Sequence, residues 1–262
     1  MSPNRDGAAA GPPRASPGPA PMPEVKGFLE TSLTDWKGRI AAVVFLPRCT
    51  FRCPYCHNHR LVTRPGELAT WPLDEVLSRL ERLRAWVDGV CVTGGEPTMH
   101  PGLGAMLRRF RDRGWAVKLD TNGSRYRALE ELLAEGLVDA VSLDVKAPLE
   151  QVPYRRNAGA GSDPEAVAAS LGLLRDAPVE LEVRTTVHPA LLSLEELVRL
   201  GADLGRRLRP GAAAVRWTLQ RCRVDETLDP GLRQHPPLSP EEFEGWRRRA
   251  AGAFAAALGA GG

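Results

Sequence analysis

From Lys26 onward, short apolar runs alternate with longer stretches in which apolar residues recur every three or four positions. The short runs read as strands buried on both faces, and the longer stretches as amphipathic helices. Ile40 to Leu46 is such a strand run, while Leu73, Val76, Leu77, Leu80 and Leu83 mark a helix over 72–86. The alternation continues with strand 90–93, helix 103–113, strand 115–119, helix 127–135, strand 140–144, helix 163–174, strand 179–187, helix 194–207 and strand 214–219. A last helix is announced by Ser239-Pro240-Glu241-Glu242, with Ser at the N-cap, Pro at N1 and Glu at N3. Its apolar face is Phe243, Trp246, Ala250 and Phe254.

About six strand–helix units predict an α/β fold: a parallel sheet with right-handed crossovers and outer helices, closed in part into a (β/α)6 TIM-like barrel. Active residues are then expected in the loops that follow the C-terminal ends of the strands. Residues 1–23 stand apart, with seven Pro, five Ala and three Gly and almost no large apolar side chain. Such a stretch buries too little surface to offset its ordering entropy and is predicted to be a disordered tail.

Composition narrows the function. The 262 residues suffice for one sizeable core, and 35 basic against 32 acidic side chains leave a formal charge of +3. The charges are interspersed, so nucleic acid is not an indicated partner. The runs Arg206-Arg207 and Arg247-Arg248-Arg249 sit at helical spacing among apolar residues and read as solvated helix faces. No stretch approaches the roughly 18–20 apolar residues of a membrane span, and no secretory leader is recognisable. The expected location is the cytoplasm, with no membrane contact. Of the five cysteines, three fall within eight positions, which suits metal binding in a reducing compartment better than a disulfide framework.

Those three are Cys49, Cys53 and Cys56, a C-x3-C-x2-C spacing just after the first strand run. A cubane iron–sulfur cluster held by three thiolates keeps one iron without a protein ligand, open to a cofactor or substrate. Two other readings compete: structural zinc with His57 or His59 as fourth ligand, and inert buried thiols. Zinc sites of that kind usually pair two knuckles, and no second pair exists here. Pro, Arg, His and Asn crowd the loop, which argues against inert thiols.

Further chemistry follows later strands. Thr93-Gly94-Gly95-Glu96-Pro97 offers two glycines for close backbone approach and a carboxylate that accepts from an ammonium group. The next strands end in Asp120-Thr121 and in Asp144-Val145-Lys146. Strand side chains alternate with period two, so Asp144 and Lys146 face the same side. Buried charges are costly unless paired, so these must pair or meet a charged ligand.

The triad and these motifs together resemble the radical S-adenosylmethionine (SAM) superfamily. The resemblance implies a [4Fe–4S] cluster on Cys49, Cys53 and Cys56, with SAM chelating the open iron and reductive cleavage giving a 5′-deoxyadenosyl radical. It implies that Gly94, Gly95 and Glu96 bind the methionyl amine. Leu119-Asp120-Thr121-Asn122-Gly123 and Leu143-Asp144-Val145-Lys146 are similar to segments of glycyl radical enzyme activases such as the pyruvate formate-lyase activating enzyme. There Asp120, Thr121, Asp144 and Lys146 would surround SAM, with the carboxylates also helping to bind a monovalent cation. The likeness runs from Gly27-Phe28 through Cys56-His57-Asn58 and Arg184-Thr185-Thr186-Val187 to Trp217-Thr218-Leu219-Gln220. Residues 24–258 then form one catalytic domain, most similar to the short anaerobic ribonucleoside-triphosphate reductase activating proteins. That resemblance implies the reductase as partner and a flavodoxin or ferredoxin as electron donor.

Departures accompany the likeness. Arg48 stands where the family usually has glycine, a permanent cation expected beside the cluster. The stretch at the end of the last strand reads Leu219-Gln220-Arg221-Cys222, without the histidine of the pyruvate formate-lyase activators, so no histidine is assigned to SAM. Cys91 and Cys222 read as buried structural thiols, too few for an auxiliary cluster. A radical SAM enzyme acting on a small molecule or another peptide is the rival enzyme reading, and a zinc-stabilised binding module the non-enzyme one.

Overall fold

The six apolar runs form six parallel strands in chain order, β2 (Ala41–Leu46), β3 (Gly89–Gly94), β4 (Ala116–Thr121), β5 (Ala140–Asp144), β6 (Glu180–Val187) and β7 (Arg216–Arg221). The computed structural model describes residues 20–209 and 215–259, so most of the expected N-terminal tail and Ala214 lie outside the described residues. An additional strand, β1 (Gly27–Ser32), pairs antiparallel with β2, and the sheet order is β1-β2-β3-β4-β5-β6-β7. Each parallel connection is a crossover carried by helix, as parallel pairing demands.

The crossovers hold α1 (His59–Thr63) and α2 (Leu73–Arg82), α3 (Leu103–Arg111), α4 (Tyr126–Ala134), α5 (Gln151–Ala158) with α6 (Pro164–Asp176), and α7 (Leu194–Arg207). α8 (Pro240–Gly259) follows β7 and packs on α7. This is the expected α/β barrel, open between β1 and β7. The predicted capping box at Ser239 is present: its backbone N–H donates to Glu242 Oε2 at 2.7 Å, and Glu242 N–H donates to Ser239 Oγ at 3.2 Å. α2 ends four residues before the predicted Trp86, because the chain tightens there into turns such as Leu83 N–H to Leu80 O at 2.9 Å.

Alternation along each strand sorts the side chains. Val44, Leu46, Val90, Val92, Val117, Leu119, Val141, Leu143, Leu181 and Val183 face outward and pack against the apolar stripes of the helices, forming the main core. Stripe residues such as Leu80, Phe110, Leu129 and Leu200 are fully buried there, each worth roughly 1.5–3 kcal/mol relative to exposure. The inward face differs from end to end. Ala41, Val43, Cys91 and Ala140 close it around Trp36 in a small second cluster. Toward the C-terminal ends of the strands the same face becomes polar, and the chemistry collects there.

Candidate active site

The loop after β2 presents the cysteines. Arg48 N–H donates to Leu61 O at 2.8 Å, and its own carbonyl accepts Glu96 N–H at 2.8 Å, so the loop is pinned from both sides just before Cys49. Cys49, Cys53 and Cys56 all line a cavity of about 250 Å³ at the barrel mouth. Burial pushes the Cys49 and Cys53 thiols up to about 11, with Glu96 adding to it at Cys49 and Lys146 opposing it at Cys53. Burial raises Cys56 as well. One buried and two half-buried thiols that resist ionisation are an expensive arrangement unless a cationic centre takes them as thiolates. Tyr55, on the same wall, buries its hydroxyl with no hydrogen-bond partner among the described residues.

Arg48 differs from expectation. It is the one non-glycine residue among those described with positive φ, at 62°, which is why a glycine suits this position. Its side chain is exposed and does not line the cavity, so its charge is spent in solvent rather than on the cavity wall.

Gly94 and Gly95 end β3 on the cavity wall. What a Cβ would meet there is the chain itself: at Gly94 it would stand 2.3 Å from Leu46 O, and at Gly95 1.6 Å from Arg48 O. The glycines therefore let β3 press against the cysteine loop. Asn58 reinforces the contact by donating its side-chain N–H to Gly94 O at 2.9 Å.

Glu96 lies behind that wall, completely buried. Its Oε1 accepts from Thr98 N–H at 3.0 Å, Thr98 Oγ1 at 2.5 Å and Thr121 Oγ1 at 2.7 Å, and its Oε2 accepts from Asn122 N–H at 2.7 Å. Burial raises its carboxyl despite these donors. The four bonds satisfy the carboxylate within the chain and lock the end of β3 to the end of β4. Asn122 completes the link by donating to Thr50 Oγ1 at 3.0 Å and approaching Cys49 Sγ at 3.6 Å.

Across the cavity stands a ladder of charges. Lys118 pairs with Asp120, Arg184 with Asp120 at 3.1 Å and with Asp144 at 2.9 Å, and Lys146 with Asp144 at 3.0 Å. Asp144 and Lys146 are brought together as the alternation predicts. Burial alone would raise the Asp144 carboxyl, yet Arg184 and Lys146 outweigh it and hold it well below the usual carboxylate range. Burial would likewise lower Lys146 and Arg184, and the aspartates reverse the sign for both. Lys118 does not line the cavity, so the lining itself pairs Arg184 and Lys146 with Asp120 and Asp144 and is balanced in charge.

Arg184 and Lys118 were not among the expected site residues. Lys118 was visible as the inward position two before Asp120. Arg184 emerges only from register, because β5 and β6 place it beside Asp144. Cys91 and Cys222 are buried, at 0% and 2% exposure, away from this cavity.

The donor set suits an iron–sulfur cluster: three soft thiolate precursors from one loop, with no hard oxygen ligand interposed. Zinc fares worse. Both candidate fourth ligands are otherwise engaged: His57 bonds the Arg223 carbonyl at 3.1 Å and His59 faces Glu226 at 4.0 Å. The Lys146 ammonium on the cavity wall suits the carboxylate of an amino-acid moiety such as that of SAM.

Known proteins agree with this geometry. The family model of the radical SAM superfamily matches residues 43–200. The chain is 29% identical to the pyruvate formate-lyase-activating enzyme of Clostridium pasteurianum, covering 72% of this chain and 78% of that one. It is 30% identical to a protein of Methanocaldococcus jannaschii named for glycyl-radical enzyme activation, covering 66% of this chain and 72% of that one. In fold it is similar to Streptococcus suis SuiB bound to S-adenosylmethionine, with a TM-score of 0.57 and 14% identity over 79% of this chain and 47% of that chain. The cofactors of such enzymes are a [4Fe–4S] cluster and SAM. The matched span contains the whole cysteine loop, most of β2 and all of β3 to β6, and the chain belongs to the radical SAM superfamily.

Proposed function

We propose that this chain activates a glycyl radical enzyme, taking a hydrogen atom from a backbone glycine of its partner, and that the partner is an anaerobic ribonucleoside-triphosphate reductase. The observation that carries the reading is the cavity itself: three thiols of one loop face the paired ends of β4, β5 and β6 across about 250 Å³. Support for the activase type comes from the two relatives named above, each aligned over more than two thirds of its length. The segments similar to the reductase activating proteins support the choice of partner.

In this reading Cys49, Cys53 and Cys56 hold the cluster. When bound, a cluster with one open iron supplies the electron that cleaves SAM and so generates the hydrogen-abstracting radical. The chain's own residues do the rest. Gly94 and Gly95 bring the β3 end against the cysteine loop, and Glu96 fixes Thr121 and Asn122 from behind. Asp120, Thr121, Asp144 and Lys146 form the wall that binds SAM, where the Lys146 ammonium meets its carboxylate. The electron donor in this proposal is a flavodoxin or ferredoxin and the setting the cytoplasm; no helix among the described residues is long and apolar enough to cross a membrane.

Anaerobic incubation with reductant, SAM and the candidate reductase tests this. A glycyl EPR doublet on the reductase is the expected result. An intact cluster that yields 5′-deoxyadenosine with no doublet would reject the partner and favour a small molecule or another peptide as substrate.

A further inference from the structure

All four carboxylate oxygens of Asp120 and Asp144 already carry a cation of the chain. Lys118 Nζ holds Asp120 Oδ1, and Arg184 Nη2 lies 3.1 Å from Asp120 Oδ2. Arg184 Nε lies 2.9 Å from Asp144 Oδ1, and Lys146 Nζ 3.0 Å from Asp144 Oδ2. The group between the two aspartates is therefore the Arg184 guanidinium. A bound monovalent cation there, as the activase resemblance implies, needs an oxygen of each aspartate and would have to sit against three fixed positive charges. The residues present do not fit it.

We propose that Arg184 is the resident cation of this site, bridging Asp120 to Asp144, so that SAM binding by this chain does not depend on potassium or sodium. The proposal rests on the reading of the cavity as the SAM site. The geometry favours it on three counts. Arg184 sits in register with Asp144 on neighbouring strands, so the backbone fixes its reach. It is mostly buried, with a side-chain exposure of 15% against 7% for Asp120 and 26% for Asp144, so bulk ions screen the bridge poorly. A guanidinium stays protonated, and here its Nε donates to Asp144 while its Nη2 stands in ion-pair contact with Asp120. Arg184 is thus a positioning residue: it sets the two aspartates and, through Asp144, the ammonium of Lys146.

The test uses the anaerobically reconstituted full chain. SAM affinity is measured by calorimetry in potassium, sodium and N-methylglucamine buffers of equal ionic strength, and bound thallium(I) is followed by 205Tl NMR without SAM. Wild type is expected to bind SAM within about twofold in all three buffers and to show no bound thallium. Arg184→Met opens the space between the aspartates: it should bind thallium, and its SAM affinity should rise at least tenfold when potassium replaces N-methylglucamine. Arg184→Lys should restore indifference to the ion. A bound thallium signal in wild type, or a tenfold loss of wild-type affinity without potassium or sodium, overturns the proposal. So does a folded Arg184→Met that neither binds thallium nor responds to potassium; if that variant does not fold, the wild-type measurements decide alone. Wild type that binds no SAM in any buffer would instead refute the assignment of the cavity, and the thallium result would still decide the cation question.

Discussion

Gly95 lies so near the Arg48 carbonyl oxygen that a Cβ on it would stand 1.6 Å away. The contact seats the end of β3 on the cysteine loop, and Glu96 N–H fastens it to the same oxygen at 2.8 Å. Gly95→Ala forces two backbones apart, with no flexible side chain to yield. It is expected to cost at least ~1–3 kcal/mol and to lower the iron retained per chain after reconstitution. Thermal unfolding with iron analysis checks this, and unchanged values for both would show that the contact is not needed.

The Arg48 backbone, at φ 62°, invites a graded comparison. A β-branched side chain fits the left-handed region worst, so Arg48→Val should lose about 1–2 kcal/mol, whereas Arg48→Gly should be near neutral or better. Because the Arg48 side chain is exposed, the difference between the two variants reports conformation rather than lost contacts. Equal melting temperatures for Val and Gly would contradict the strained geometry.

β2 and β3 were legible as continuous apolar runs largely buried on both faces, and β6 as a regular alternation of buried and half-buried positions. β1 was not, since it is an edge strand whose Leu29, Glu30 and Thr31 are exposed, and a half-wet edge has no such run. α5 escaped because Pro153 interrupts it and its Gln, Arg and Asn residues show no apolar period. The site divides the same way. Asp144 and Lys146 pair two residues apart at the end of β5, a spacing that can be read along the chain. Arg184 reaches aspartates 40 and 64 positions away, and only the strand register brings them together. The two glycines line the cavity and also admit the chain's own backbone at Leu46 and Arg48, a contact that only the folded chain reveals.

His188 makes stability depend on pH. It is fully buried, its Nε2 lies 3.1 Å from His235 O, and its Nδ1 accepts Ala190 N–H at 3.2 Å, a pattern that only the neutral ring satisfies. Burial lowers its pKa from the ordinary 6.5, and burial lowers His100 in the same direction. The unfolded chain takes up these protons first as pH falls, so the stabilisation is complete above about pH 6.5 and is lost on going below it. The melting temperature should drop between about pH 7.5 and 5.5, and drop less in His188→Gln. An equal drop in both proteins would remove His188 from the account.

The buried Tyr55 hydroxyl on the cavity wall has no hydrogen-bond partner among the described residues. In the metal-free chain Tyr55→Phe deletes that penalty and should raise stability by about 1–2 kcal/mol. Denaturant unfolding of the two metal-free proteins measures it, and a loss of stability would show that the hydroxyl is satisfied in solution.

The most direct measurement is iron, sulfide and zinc content together with 5′-deoxyadenosine formation, for the anaerobically reconstituted protein and for Cys49→Ala, Cys53→Ala and Cys56→Ala. The account predicts about four irons with matching sulfide per wild-type chain, reductive SAM cleavage by wild type, and no cleavage by any of the three variants. Zinc in place of iron in the wild type, or undiminished cleavage after loss of any one of these thiols, would contradict it.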